Sequence, residues 1–271
     1  MMKISDLWKN IVKSFLVKLF ASMGVGVTSL DNLVNLQELR NDRSRQDLEF
    51  IRSFDSQDFE PLIRYLSKSK SQLRQDLFVL AETKYKSGGY FVEFGATDGI
   101  NLSNSYLLET EFSWKGILAE PGHVWGKRLA NNRPRSRIET SCVWKDSNSM
   151  LLFNEVDDDP ELSTIDFFSN SDEHIFRRKH GKKYEVPTIS LMDLLEKFGA
   201  PSYIDYLSID TEGSEFEILK ALNFNKYSFG VITVEHNYTE NRERIFTLLT
   251  SNGYIRKFEH LSLFDDWYIK L

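Results

Sequence analysis

Hydrophobic and polar positions divide the chain into two regimes. Residues 1–20 repeat on a helical period. Ile4, Leu7, Trp8, Ile11, Val12, Phe15, Leu16 and Leu19 fall on one broad face, with Lys9 and Lys13 opposite. Residues 31–60 are polar and mixed in charge. Helices are predicted at Leu33–Arg40, Arg43–Phe54 and Asp58–Leu66, the last with Asp58 as N-cap and Pro61 in its first turn. Ser67–Ser71 reads as a connector, and Ser71 is placed to cap a helix over Gln72–Lys84 that stops at Gly88-Gly89. From Tyr90 onward, short β-rich runs alternate with helical patterns. Strands are predicted at Tyr90–Gly95, Gly116–Glu120, Arg137–Trp144, Met150–Val156, Tyr203–Ile209 and Phe229–Glu235. Helices are predicted at Leu102–Thr110, Val124–Asn131, Ser190–Phe198, Ser214–Leu222 and Asn241–Ser251, and Tyr254–His260 with Leu263–Leu271 reads as a closing antiparallel pair. The alternation predicts an α/β fold: an open, doubly wound sheet with helices on both faces and right-handed crossovers.

Composition agrees with a globular chain. Of 271 residues, 41% are hydrophobic and 27% charged, enough apolar side chains for a sizeable core and too many for a disordered chain. The net charge of −6 argues against a general nucleic-acid binder. The lone cysteine, Cys142, permits no intramolecular disulfide and favours a reducing compartment. The longest uncharged run near the N-terminus, Leu19–Leu30, is shorter than the ~20 residues a spanning helix needs. Lys18 interrupts the apolar stretch and no small-x-small cleavage site follows, so no signal peptide is expected and the expected location is cytoplasmic. Residues 1–20 carry four Lys against one Asp, the pattern of a helix lying in a membrane interface. The same pattern serves a helix packed on its own domain or against a second subunit. Peripheral contact with the inner face of the membrane and homo-oligomer formation both stay open on these residues.

In such a sheet, ligands sit at the carboxyl ends of the strands. The first strand runs into Glu93-Phe-Gly-Ala-Thr-Asp-Gly99, where Gly95 and Gly99 permit a sharp turn and close approach of a ligand. Glu93 and Asp98 place acceptors beside that turn, which suits an ammonium or hydroxyls better than a pyrophosphate. The G-x-G-x-x-G of dinucleotide binders is missing its middle glycine. Glu120, at the end of the next strand and ~20–25 residues on, stands where such folds grip a ribose diol. Together these features point to a nucleoside-like ligand carrying an amino group. Further along, Asp210, Glu212 and Gly213 close one strand, and Glu235, His236 and Asn237 close its neighbour. Polar groups on otherwise apolar strands need partners, which favours a site there.

The chain from about Ser71 onward resembles the FkbM family of S-adenosylmethionine-dependent methyltransferases. The resemblance is carried by Ser71–Leu80, Phe91–Gly99, Ser103-Asn104, Trp114–Pro121, Ile209–Glu215 and Asp266–Ile269. It implies a seven-stranded, Rossmann-like class I methyltransferase sheet with an antiparallel last strand. It divides the chain into a helical extension, 1–70, and a methyltransferase domain, 71–271. It implies that Glu93, Gly95, Ala96, Asp98 and Gly99, with Asn104, hold the methionine part of S-adenosylmethionine. Glu120 would bind the ribose hydroxyls, Ser141, Cys142 and Val143 would lie beside adenine, and Asp210 would face the sulfonium and the acceptor. The family mostly methylates hydroxyls on sugars or secondary metabolites.

A sugar hydroxyl is a poor nucleophile at neutral pH, so a base or a metal must help remove its proton. His236 is the expected base, with Asp210 and Glu212 as alternatives. A metal version would place Mg²⁺ on Asp210, Glu235 and His236 or Asn237. The insert Asp157–Lys183 is expected on the acceptor side. Its basic stretch, His174–Lys183, offers a dock for a phosphate- or carboxylate-bearing glycan, or is a solvated loop. Trp114, Trp125 and Tyr238 are candidates for stacking on a sugar. The leading expectation is an O-methyltransferase acting on a sugar, glycan or glycosylated metabolite. An N- or carboxyl-methyltransferase on a small metabolite, and a non-catalytic membrane-surface protein on a methyltransferase fold, remain as alternatives.

Overall fold

The computed structural model describes residues 43–271. The predicted helices at residues 1–20 and 33–40, with the membrane and subunit contacts expected of the first, lie outside the described residues. The chain divides into two compact units, Met1–Phe50 and Ile51–Leu271. Residues 43–52 are helical, as expected for Arg43–Phe54. The larger unit holds both sheets.

Two helices open it: α1 (Ser56–Leu66) and α2 (Gln75–Glu82). Both begin elsewhere than predicted. Asp55, not Asp58, holds the N-cap position of α1, and Pro61 lies inside the helix. Ser71 does not cap α2 directly. Its hydroxyl accepts from the Asp76 amide, while Arg74 takes the cap position in a left-handed conformation with φ 71°.

The main sheet has seven strands: β1 (Tyr90–Phe94), β2 (Lys115–Ala119), β3 (Arg137–Glu139), β8 (Tyr203–Ile209), β9 (Ser228–Glu235), β10 (Tyr254–Lys257) and β11 (Asp265–Lys270). Their order is β10-β11-β9-β8-β1-β2-β3. β3, β2, β1, β8 and β9 are parallel, and β11 runs antiparallel to both β9 and β10, as expected for the closing pair. Phe91, Val92 and Phe94 of β1, and Ile204, Leu207 and Ile209 of β8, are buried. That is the signature of parallel strands covered on both faces. β1 lies between β2 and β8, so the strand order reverses beside it. A ligand crevice is expected at that point.

Four shorter strands form a second sheet, ordered β4-β7-β5-β6: β4 (Cys142–Trp144), β5 (Met150–Glu155), β6 (Thr164–Ile165) and β7 (Lys182–Ser190). The predicted single strand Arg137–Trp144 is therefore two strands in different sheets. β3 ends where the Glu139 carboxylate takes the Ser141 amide at 2.8 Å and turns the chain, and Cys142 then pairs with Thr188 of β7. The remaining helices are α3 (Tyr106–Phe112), α4 (Gly126–Asn132), α5 (Ile175–Arg178), α6 (Leu191–Lys197), α7 (Glu215–Lys220), α8 (Asn241–Ser251) and α9 (Glu259–Ser262). No helix among the described residues is long and apolar enough to cross a membrane.

Candidate functional site

The carboxyl ends of β1, β2, β8 and β9 and the edge of the small sheet surround a cavity of about 410 Å³. Gly95 shows why the first turn has its sequence. It has φ +70°, and a Cβ there would lie 1.9 Å from the Asp210 carbonyl oxygen. The ends of β1 and β8 thus come together only over a glycine. The Gly95 amide donates to the Ala119 carbonyl at 3.1 Å, tying the same turn to β2.

The polar residues of this first turn have separate tasks. Glu93 is buried and accepts from the Asn104 amide at 2.7 Å and from the hydroxyls of Ser103 and Ser105. Burial pushes its carboxyl up, and the Arg133 charge and these donors pull it down. It pins the 103–105 segment against β1. Asn104 in turn borders the cavity; its amide nitrogen donates to Ser208 Oγ at 3.0 Å, and its buried Oδ1 has no partner. Asp98 accepts from the Ile100 and Asn101 amides, each at 2.8 Å, and so shapes the loop. Asp98, Ala96 and Gly99 do not border the cavity.

Glu120 borders the cavity and accepts from the Gly122 amide at 2.7 Å and the Thr97 amide at 3.0 Å. Burial raises its carboxyl to about 7 against the pull of those donors, and the charges of Glu155 and Asp210 add to the rise. Sequence reasoning missed the group behind it. Glu155, at the end of β5, accepts from Tyr184 Oη at 2.7 Å and the Val124 amide at 3.2 Å. Only its place next to the Asp157–Asp159 run marked it. Cys142 and Val143 form an apolar wall with Phe153 and Ile165; Ser141 stands outside it. Burial pushes the Cys142 thiol up to about 12, so it is a packing group at neutral pH.

The far end of the cavity holds acids. Oxygens of Asp210, Glu212 and Glu235 lie within 4.8 Å of one another. Loss of hydration lifts Asp210 to about 7, with the Glu215 charge adding to the rise, and Glu235 hydrogen-bonds to it. Glu235 is buried and pushed well above the usual range, by burial and then by the Asp210 charge. The pair therefore holds a proton, with Glu235 donating to an Asp210 carboxylate. The Oε2 of Glu235 has no partner. Glu212 accepts from Arg178 at 2.7 Å and from the Asn237 amide nitrogen at 3.1 Å.

His236 does not belong to this group. It is buried beside the cavity rather than on it. Its Nδ1 accepts from the Tyr238 amide at 3.0 Å, and its Nε2 lies 3.8 Å from Asp266. Burial lowers its pKa, partly offset by Asp266. The expectation of His236 as base or metal ligand thus gives way to its neighbours in sequence. Glu235, the last residue of β9, and Asn237, in the left-handed turn that follows, border the cavity, and His236 between them does not.

The insert also differs from expectation. Its basic residues are largely paired internally: Arg178 is fully buried against Asp172 and Glu212, Arg177 meets Asp159 and Lys183 meets Asp166, each at 2.7 Å. Among the described residues no lysine or arginine borders the cavity, and of the stretch His174–Lys183 only His174 does. Trp114 is core, its indole N–H donating to the Lys86 carbonyl at 2.7 Å, and neither Trp125 nor Tyr238 borders the cavity.

A family model for the methyltransferase FkbM domain matches residues 93–264. No curated protein sequence matches the chain. Among solved structures, the chain is similar to methyltransferase FkbM from Methylobacillus flagellatus KT, at 11% identity and TM-score 0.43, over 95% of this chain and 70% of that one. It is similar to precorrin-6y C5,15-methyltransferase from Geobacter metallireducens GS-15, at 10% identity and TM-score 0.40, over 72% of this chain and 85% of that one. It is also similar to the 1,6-didemethyltoxoflavin-N1-methyltransferase of Burkholderia thailandensis, solved with S-adenosylhomocysteine, at 9% identity and TM-score 0.36, over 91% of this chain and 92% of that one.

Proposed function

The chain belongs to the methyltransferase FkbM family, and from that premise we propose that it is an S-adenosylmethionine-dependent O-methyltransferase acting on a hydroxyl of a sugar, glycan or glycosylated metabolite. The observation that carries the oxygen chemistry is the Asp210–Glu235 pair at the end of the cavity.

The residues fit the cofactor. Asn104 Oδ1 is a buried acceptor with no protein partner, as an ammonium requires. Glu120 is fixed by two backbone donors and keeps lone pairs for two ribose hydroxyls. The wall of Cys142, Val143, Phe153 and Ile165 suits a flat base. Bound there, S-adenosylmethionine supplies an electrophilic methyl group on a sulfonium. The chain itself must then hold an acceptor oxygen in line and take its proton. Asp210 is the base in this reading. A carboxylate with a pKa of about 7 is half ionised at neutral pH and far more basic than an ordinary aspartate. Glu235 holds Asp210 in place with its own proton, and Glu212, fixed by Arg178, accepts a second hydroxyl of the acceptor.

A second reading places a divalent cation such as Mg²⁺ on Asp210, Glu212 and Glu235, in place of the set with His236. We expect activity to persist in EDTA, because Glu212 already faces the Arg178 guanidinium and Glu235 is hydrogen-bonded to Asp210. Loss of activity in EDTA, restored by Mg²⁺, would favour the cation instead. The main reading is tested by incubating the protein with methyl-labelled cofactor and glycan extracts and locating the label by mass spectrometry. Label on oxygen supports it. Label on nitrogen or on a carboxylate points to the other methyltransferase classes, and absence of S-adenosylhomocysteine binding points to a scaffold.

A further inference from the structure

Among the described residues, the cavity is lined by eight carboxylates and no lysine or arginine, with His174 beside Glu173. Three of these acids are occupied by the protein's own cations: Glu93 lies under the Arg133 charge, Glu212 is paired with Arg178 and Asp159 with Arg177. Asp210 and Glu235 are hydrogen-bonded to each other. Glu120 lies on the ribose side. Glu161 and Glu173 remain, both exposed on the insert and neither in an ion pair. Both border the same cavity.

The insert is fastened over the acid end. Thr164 Oγ1 donates to the Glu212 carbonyl at 2.8 Å, and Arg178 joins the Glu212 carboxylate to the Leu162 carbonyl, at 2.7 and 2.8 Å. The segments carrying Glu161 and Glu173 are therefore held against the turn that follows Asp210. Glu235, which borders the same cavity, is seven per cent exposed and presents an Oε2 with no partner. An unpartnered buried acceptor and two unpaired acids at one end of a cavity call for a donor that carries positive charge.

Resting on the methyltransferase reading above, we propose that this end of the cavity selects an acceptor carrying an organic ammonium beside the hydroxyl to be methylated, as in an amino sugar or an amine-bearing glycan. Glu161 and Glu173 attract the ammonium and Glu235 Oε2 accepts one of its N–H groups. The surrounding carboxylates stabilise the protonated amine. The nitrogen then has no free electron pair, so it serves recognition and the methyl goes to oxygen. Anionic acceptors are repelled by the same groups.

The test is calorimetry on the full chain saturated with S-adenosylhomocysteine, in EDTA, at low salt and at a mildly acidic pH where glucosamine is charged. Three tetrasaccharides serve as probes: chitosan with free amines, chitin with acetamides, and oligogalacturonate with carboxylates. The chitosan probe is expected to bind at least about tenfold more tightly than the chitin probe, with the galacturonate weakest. The double variant Glu161→Gln, Glu173→Gln is expected to remove most of that gap. Both positions are exposed, so folding is not at stake. Glu185→Gln, an exposed acid outside the cavity, should preserve the gap. Equal affinity for all three probes, binding by none of them, or a gap that the double variant leaves intact overturns the proposal. The saturating titration keeps the two readings apart. Failure to bind S-adenosylhomocysteine even above pH 7, where Glu120 is ionised, refutes the methyltransferase reading, whereas normal binding without amine preference refutes only this one.

Discussion

At Glu120, burial and like charge act against two backbone hydrogen bonds, and the carboxyl settles near 7. Below that value the group becomes protonated and loses acceptor capacity for a ribose diol. The affinity for S-adenosylhomocysteine should therefore weaken as pH falls through 7, approaching tenfold per pH unit. Glu120→Gln should weaken binding by roughly 10- to 100-fold, the worth of one or two hydrogen bonds to a charged group, and abolish the pH dependence; calorimetry reads both. Asp210 titrates in the same range but acts on the acceptor. At saturating cofactor, kcat should rise with pH through about 7, and Asp210→Asn should lower it by about 10²–10⁴-fold with cofactor affinity retained. His236→Gln should leave kcat within a few-fold of wild type; a loss equal to that of Asp210→Asn would return the base role to His236. At this scale the sequence was legible where an acid closes an apolar strand, as at Glu120 and Asp210. It was misleading at Asp98, which serves its own loop, and at His236. There, the ordinary imidazole pKa outweighed the turn after β9, which leaves His236 beside the cavity.

The elements follow the pattern of apolar runs closely in the central strands, because parallel strands covered on both faces stand out as continuous apolar runs. β8 has the predicted bounds, Tyr203–Ile209. Helix starts were less legible: the Ser71 hydroxyl and the Gln75 side chain bond backbone amides around the Arg74 turn. The split of β3 from β4 was hidden too, since Arg137–Trp144 carries no glycine or proline to mark the break. Arg178 gave no sign of burial, being one cation in a basic run. Two variants test the elements. Gly95→Ala meets backbone rather than a movable side chain, in a left-handed conformation. It should cost about 2–4 kcal/mol and lower Tm by on the order of 5–10 °C. Arg178→Met leaves Asp172 and Glu212 buried without their cation and should cost about 3–5 kcal/mol. Limited proteolysis should then cut first within residues 157–183, and an unchanged digestion pattern would contradict the fastening role of Arg178.

Across the whole molecule, the net charge of −6 hides an acidic cavity beside an insert whose cations are largely bound to its own acids. Holding those acids together has a pH signature. Burial raises Glu120 and Asp210 to about 7 and Asp265 to about 8. The folded state thus binds more protons than the unfolded state between about pH 4 and these values. Their contribution to stability is complete below about pH 4 and lost as pH rises through 7 to 8. Thermal scans without ligand should show Tm falling by several degrees from about pH 5.5 to 8.5, and a flat profile would mean these acids are better solvated than their burial implies. The central claim is that Asp210 takes a proton from an acceptor hydroxyl while a separate group of residues holds the cofactor. The most direct measurement follows a labelled methyl group, with wild type and Asp210→Asn side by side at equal S-adenosylmethionine occupancy. Label is expected on an acceptor oxygen with wild type, and its rate is expected to fall by at least about 100-fold with the variant. Transfer at the wild-type rate by Asp210→Asn, or label found only on nitrogen, would contradict it.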